Sequence, residues 1–143
     1  QLQSLNKATR YLEVGVNKGE TFFNVNFQEK VAVDPLFRFD VADHQGEGVL
    51  FIDKVSDKFF ADAQSHRQFD IIFLDGLHTY DQTYRDFTHS LLCSHPKTFI
   101  LIDDTFPADS ISAMRSQKFS RSSRKKAFPQ LDNLPGWWHG DTF

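Results

Sequence analysis

Five short apolar runs break an otherwise polar chain: Tyr11–Val14, Val31–Val33, Val49–Ile52, Phe69–Leu74 and Phe99–Ile102. Each is rich in β-branched or aromatic residues, and turn or polar residues separate them, so each reads as a short buried strand. The first closes on Gly15, the second on Asp34 before Pro35, the fourth on Asp75 and the fifth on Asp103-Asp104. Helical patterns fall between the runs. Glu20-Thr21-Phe22-Phe23 begins one helix with an acid in its first turn. Ser56 caps a second that holds Phe59, Phe60 and Ala63 on one side. Thr79 and Gln82 fit a capping box, and the helix after it turns Tyr84, Phe87, Leu91 and Leu92 towards the sheet before Pro96. Asp40 to Gly48 has no periodicity and reads as loop, while Leu2 and Leu5 are spaced for one side of a short helix.

Strands alternating with helical patterns specify βαβ units with right-handed crossovers. The expected fold is α/β: a Rossmann-like, doubly wound, mostly parallel sheet with helices on both faces. A single domain over residues 1–143 accounts for the pattern, with a core over 1–106 and a lid or tail over 107–143. A sheet that closed at the fifth strand would leave an edge exposed. The expectation is therefore that C-terminal strands are absent from this chain, and that the open edge invites pairing into a homo-oligomer.

Composition narrows the partners. A net charge of -3 gives no general attraction for nucleic acid or an anionic membrane. No apolar stretch approaches the roughly 18 residues of a membrane span, and no signal-peptide pattern opens the sequence. The one cysteine, Cys93, excludes an internal disulfide and fits a reducing compartment, so a cytoplasmic location is expected. Cys93 falls in a helical pattern and reads as a half-buried structural thiol.

The strand ends carry the chemistry, since ligands of open α/β sheets bind beyond the carboxyl ends of the strands. Gly15 and Gly19, after the first strand, allow a sharp turn and close approach of a ligand to the backbone. Their spacing is not the G-x-G-x-x-G of dinucleotide-binding proteins, which disfavours a nicotinamide-dependent oxidoreductase. Asp34, some twenty residues on, is placed to accept both hydroxyls of a ribose, or else is a turn residue before Pro35. Asp75, Asp103 and Asp104, at neighbouring strand ends, suit a hard divalent cation such as magnesium; the bland reading has them capping turns. His78 reads as a general base, a metal ligand or a structural residue. The basic, serine-rich stretch Arg115–Lys126 reads first as solvated loop, with a cover over the cleft, or a landing place for an acidic substrate, as its functional alternatives.

These residues together resemble the class I S-adenosylmethionine-dependent methyltransferases, in the group that holds small-molecule and sugar O-methyltransferases. Tyr11–Gly19 is similar to the family's first motif, and Asp75-Gly76-Leu77-His78-Thr79-Tyr80 resembles the D-G-x-H-x-Y segment of its metal-dependent members. Trp138–Asp141 resembles a further segment. The resemblance implies that Glu13, Gly15, Asn17 and Gly19 line the methionine end of S-adenosylmethionine, with Asn17 where many relatives have glycine. It implies that Asp34 holds the ribose, that Ser56 and Asp57 meet the adenine, and that Asp75 lies against cofactor and substrate. It implies magnesium on Asp75, Asp103 and Asp104, although many relatives have histidine-aspartate for the last pair, and His78 as base. The expected reaction is O-methylation of a small hydroxylated molecule. The rival from another class is an inactive domain that only holds the nucleoside.

Overall fold

A computed structural model of the protein describes residues 8–62, 67–129 and 140. The described chain forms two compact units. The first runs to Gly76 and includes Tyr84–Asp103; the second comprises Leu77–Thr83 and the described residues from Asp104 onward.

The first unit is built on five parallel strands: β1 (Arg10–Val14), β2 (Glu29–Val33), β3 (Val49–Ile52), β4 (Phe69–Leu74) and β5 (Ser94–Ile102), in spatial order β3-β2-β1-β4-β5. The chain moves outward from β1 to β3 and then returns to the other side of β1, so the strand order reverses between β1 and β4. Such a reversal is where open α/β sheets take ligands. The α/β, Rossmann-like fold expected from the sequence is the fold observed.

Alternation along the strands divides the core in two. Leu12, Val14, Val31, Val33, Ile72 and Leu74 share one face with Phe59 and Phe60 of α1 (Ser56–Ala61) and Phe87 of α2 (Tyr80–Ser90). Tyr11, Ala32 and Ile71 share the other with Phe22, Val25, Phe27, Phe37 and Phe39. These five residues come from connecting segments, so aromatic loops cover this face of the unit. Phe22 is wholly buried, and each such phenylalanine stabilises the fold by roughly 1.5–3 kcal/mol.

Several local expectations change. Glu20–Asn24 is a pair of turns, held by Phe23 N–H to Gly19 O (2.9 Å) and Asn24 N–H to Thr21 O (3.0 Å). Threonine, phenylalanine and asparagine there favour helix weakly, and packing of Phe22 sets the path instead. Within Asp40–Gly48, Val41–His44 forms a 3-10 turn capped by the Asp40 side chain. The cap residue of α1 is Val55, without a side-chain bond, and Ser56 is the first helical residue; Ala63 lies outside the described residues.

Helix α2 buries Thr83, Asp86, Phe87 and Ser90, in whole or in part, and leaves Tyr84 exposed, while Leu91 and Leu92 stand exposed in the 3-10 turn Leu91–Cys93 that follows it. Of the four residues expected to face the sheet, Phe87 does so, and Tyr84, Leu91 and Leu92 do not. β5 starts at Ser94 with a bulge, where Thr98 Oγ1 donates to Phe69 O at 2.6 Å and accepts from the His95 N–H at 2.8 Å. Cys93 is fully buried, and burial pushes its thiol up to about 11.

In the second unit the expected loop over Arg115–Lys126 is mostly helix, α3 (Gln117–Ala127), whose N-terminus is capped by the Ser116 hydroxyl accepting from the Phe119 N–H. Lysine, arginine and glutamine are good helix formers, and Lys/Arg in the last turn complement the helix dipole. Arg115 pairs with Asp81. Arg124 turns inward and grips Asp109 with both terminal nitrogens, at 3.0 and 2.9 Å.

Candidate active site

The strand ends of the first unit form a hydrogen-bonded rim. Gly15 N–H donates to Val33 O (2.9 Å), Asp34 N–H to Ile52 O (3.2 Å), Asp75 N–H to Val14 O (2.8 Å) and Asp103 N–H to Leu74 O (3.0 Å). The residues that close four of the five strands therefore lie side by side because the strands end in register.

Gly15 sits at φ +87°, and a Cβ there would lie 2.0 Å from the Asp75 carbonyl oxygen. Only glycine allows β1 to turn out of the sheet this close to β4. Two further left-handed residues follow, Asn17 (φ 50°) and Gly19 (φ 78°). Asparagine is among the few residues with a side chain that accept this conformation readily, so Asn17 keeps the loop's left-handed path without a glycine.

Asp34 fixes the loop. Its Oδ2 accepts the Asn17 N–H at 2.8 Å and its Oδ1 the Leu36 N–H at 2.7 Å. A carboxylate has about four lone-pair positions, so two acceptor positions remain for ligand hydroxyls. The turn-residue and ligand readings of Asp34 are therefore compatible.

Glu13 is buried on the aromatic face, beside Ala32 and Phe73 of the flanking strands. Its Oε2 accepts the Tyr11 hydroxyl at 2.5 Å. Burial lifts its carboxyl to about 7, against the Tyr11 hydrogen bond and the charge of Lys30, which both pull it down. Lys30 Nζ donates to Phe22 O (2.8 Å) and Val25 O (3.2 Å), tying the aromatic loop to β2. Burial also raises the Tyr11 phenol, with the charges of Glu13 and Asp75 adding to it.

Ser56 and Asp57 occupy the first turn of α1, where Asp57 pairs with Arg85 Nε at 3.4 Å. Neither lines the cavity of about 550 Å³ beside β3, which is bounded by Leu50–Lys54, Phe59 and Asp62. Asp53 and Lys54 are residues that sequence reasoning passed over. The signal was present, since Asp53 ends its apolar run as Asp34 and Asp75 end theirs.

Asp75 is half-buried and Asp103 exposed. Asp104 takes a left-handed turn (φ 51°), and in the second unit its Oδ2 lies 3.6 Å from His78 Nε2. Among the described residues no group of three or more His, Cys, Asp or Glu side chains is gathered to hold a metal ion. The expected Asp75, Asp103 and Asp104 triad is thus not seen as a metal site. His78 is largely shielded, its side chain 19 % exposed.

An open parallel sheet with a reversal beside β1, a left-handed glycine loop and an acid closing β2 defines a Rossmann-like nucleotide-binding protein. A family profile described as a methyltransferase domain matches residues 12–105, about two thirds of the chain. The chain belongs to this family, the class I methyltransferases that draw their methyl group from S-adenosylmethionine. No curated protein matches it. The residues present suit the donor: the loop after β1 turns its backbone through three left-handed residues, Gly15, Asn17 and Gly19, and Asp34 retains acceptor capacity. Among the described residues no helix is long and apolar enough to cross a membrane.

Proposed function

We propose that the protein is an S-adenosylmethionine-dependent O-methyltransferase acting on a hydroxyl of a small molecule, with His78 as general base. The observation that carries this reading is the pairing of His78 with Asp104, three residues after Asp75 closes β4. At 3.6 Å the contact is too long for a hydrogen bond, and it becomes an ion pair only once the imidazole has taken up a proton.

When bound, S-adenosylmethionine supplies a methyl group on a positively charged sulfur. Asp34 holds the ribose hydroxyls, and the Gly15–Gly19 backbone gives room for the methionine end. Glu13 and Asn17 complete the lining of that end. Asp75 accepts a hydrogen bond from the substrate hydroxyl and aligns its oxygen. His78 takes the hydroxyl proton as oxygen attacks carbon, and the Asp104 carboxylate stabilises the imidazolium that results. Ser56 and Asp57 flank the adenine.

The test pairs calorimetry with turnover. S-adenosylmethionine and its demethylated product should both bind, and methyl-tritiated donor should label an acceptor in a panel of hydroxylated metabolites. Binding without transfer to any acceptor would favour the inactive nucleoside-binding reading; no binding would overturn both.

A further inference from the structure

Gly140 lies in a stretch of chain far from His78 in sequence, yet the two backbones touch. Gly140 is buried at φ +68°, and a Cβ built on it would fall 1.7 Å from the His78 carbonyl oxygen and 2.8 Å from the His78 Cβ. Its N–H donates to Ser112 O at 3.1 Å. Ser112 is itself clamped: it is 1 % exposed, its N–H donates to Asp109 Oδ1 at 2.7 Å, and its Oγ accepts from Arg124 at 2.7 Å. The two-pronged grip of Arg124 on Asp109 completes the support and holds the Asp109 carboxyl down at about 2, with the Ser112 N–H adding to the effect. All of these residues belong to the second unit. A continuous set of contacts thus runs from α3 through Arg124, Asp109 and Ser112 to Gly140, and ends on His78.

We propose that Gly140 is a positioning residue for His78: its bare backbone presses on the His78 main chain and keeps the imidazole facing Asp104. The inference rests on the reading of His78 as base. Two separate demands fall on position 140. The positive φ is met by glycine and tolerated by asparagine. The close approach is met by glycine alone. A role in orienting His78 depends on the second demand, whereas a simple turn depends on the first.

The full chain, with ¹³C- and ¹⁵N-labelled histidine, gives the readout without any acceptor. Three-bond couplings report the His78 χ1 angle, which should occupy one rotamer in the wild type. In both Gly140→Ala and Gly140→Asn the minor rotamers should rise roughly fivefold, while affinity for S-adenosylmethionine stays within about twofold. Arg124→Met, which loosens Ser112 without touching His78, should shift the couplings the same way by less, and it stands in if the Gly140 variants fail to fold. Averaged couplings in the wild type would overturn the proposal. So would a single rotamer retained in Gly140→Asn, or in Arg124→Met. Methyl transfer by His78→Gln tests the base independently, so the two readings fail by different measurements.

Discussion

The Tyr11 hydroxyl donates to Glu13 Oε2 across 2.5 Å, joining two residues that share one face of the central strand. The pair is enclosed by the phenylalanine-lined face of the sheet. A carboxyl in such a place favours its neutral form.

Burial raises Glu13 from 4.5 to about 7, so the folded state holds its proton more tightly than the unfolded chain. The stability linked to this group is complete below pH 4.5 and is lost as pH rises through 7. Glu13→Gln keeps an acceptor for Tyr11 and removes the ionisation. The variant should match the wild type near pH 4 and exceed it by on the order of 2 kcal/mol at pH 8, as read from urea unfolding across that range.

Asp34→Ala removes the acceptor of two backbone N–H groups, from Asn17 and Leu36. Hydrogen bonds to a charged group contribute roughly 1.5–3 kcal/mol each. The loop should loosen, and the dissociation constant for S-adenosylmethionine should rise at least about tenfold by calorimetry. Thermal unfolding should show a drop as well, because the loop anchor is lost with the ligand contact.

Gly15→Ala adds a methyl group 2.0 Å from the Asp75 carbonyl oxygen at a left-handed backbone. Left-handed strain costs about 1–2 kcal/mol for a residue with a side chain, and the clash with backbone adds to it. Denaturant unfolding should show a loss larger than for Gly46→Ala, where the new Cβ meets nothing nearer than 4.0 Å.

His78→Gln should lower methyl transfer by about 10²–10⁴-fold while leaving donor affinity near the wild-type value. Excess EDTA should leave wild-type turnover within about twofold if proton transfer to His78 suffices. Loss of turnover in EDTA, restored by magnesium, would return the Asp75, Asp103 and Asp104 triad to the mechanism.

Cys93 is fully buried with its thiol raised to about 11. Reactive cysteines are accessible thiolates, and this one is neither. Ellman's reagent should therefore label it only at the rate of unfolding, reaching one equivalent in denaturant.

The strands and their order of appearance were determined by the sequence alone, because an apolar run long enough for one strand states its own burial. Gly15, Asp34, Asp75 and Asp103 were legible for the same reason: they end those runs. Tertiary structure decided what depends on distant neighbours. Helix α2 turned Thr83, Asp86 and Ser90 inward beside Phe87 and left Tyr84 outside, because the surface it meets, and not apolar character alone, selects the face. Glu20–Asn24 became turns because Phe22 is drawn into the aromatic core. Asp104 came to face His78, and Gly140 to rest on it, through contacts between residues that no local period relates. Hydrophobic periodicity is a property of a short segment, whereas the register of one segment against another is set only when the whole chain has packed.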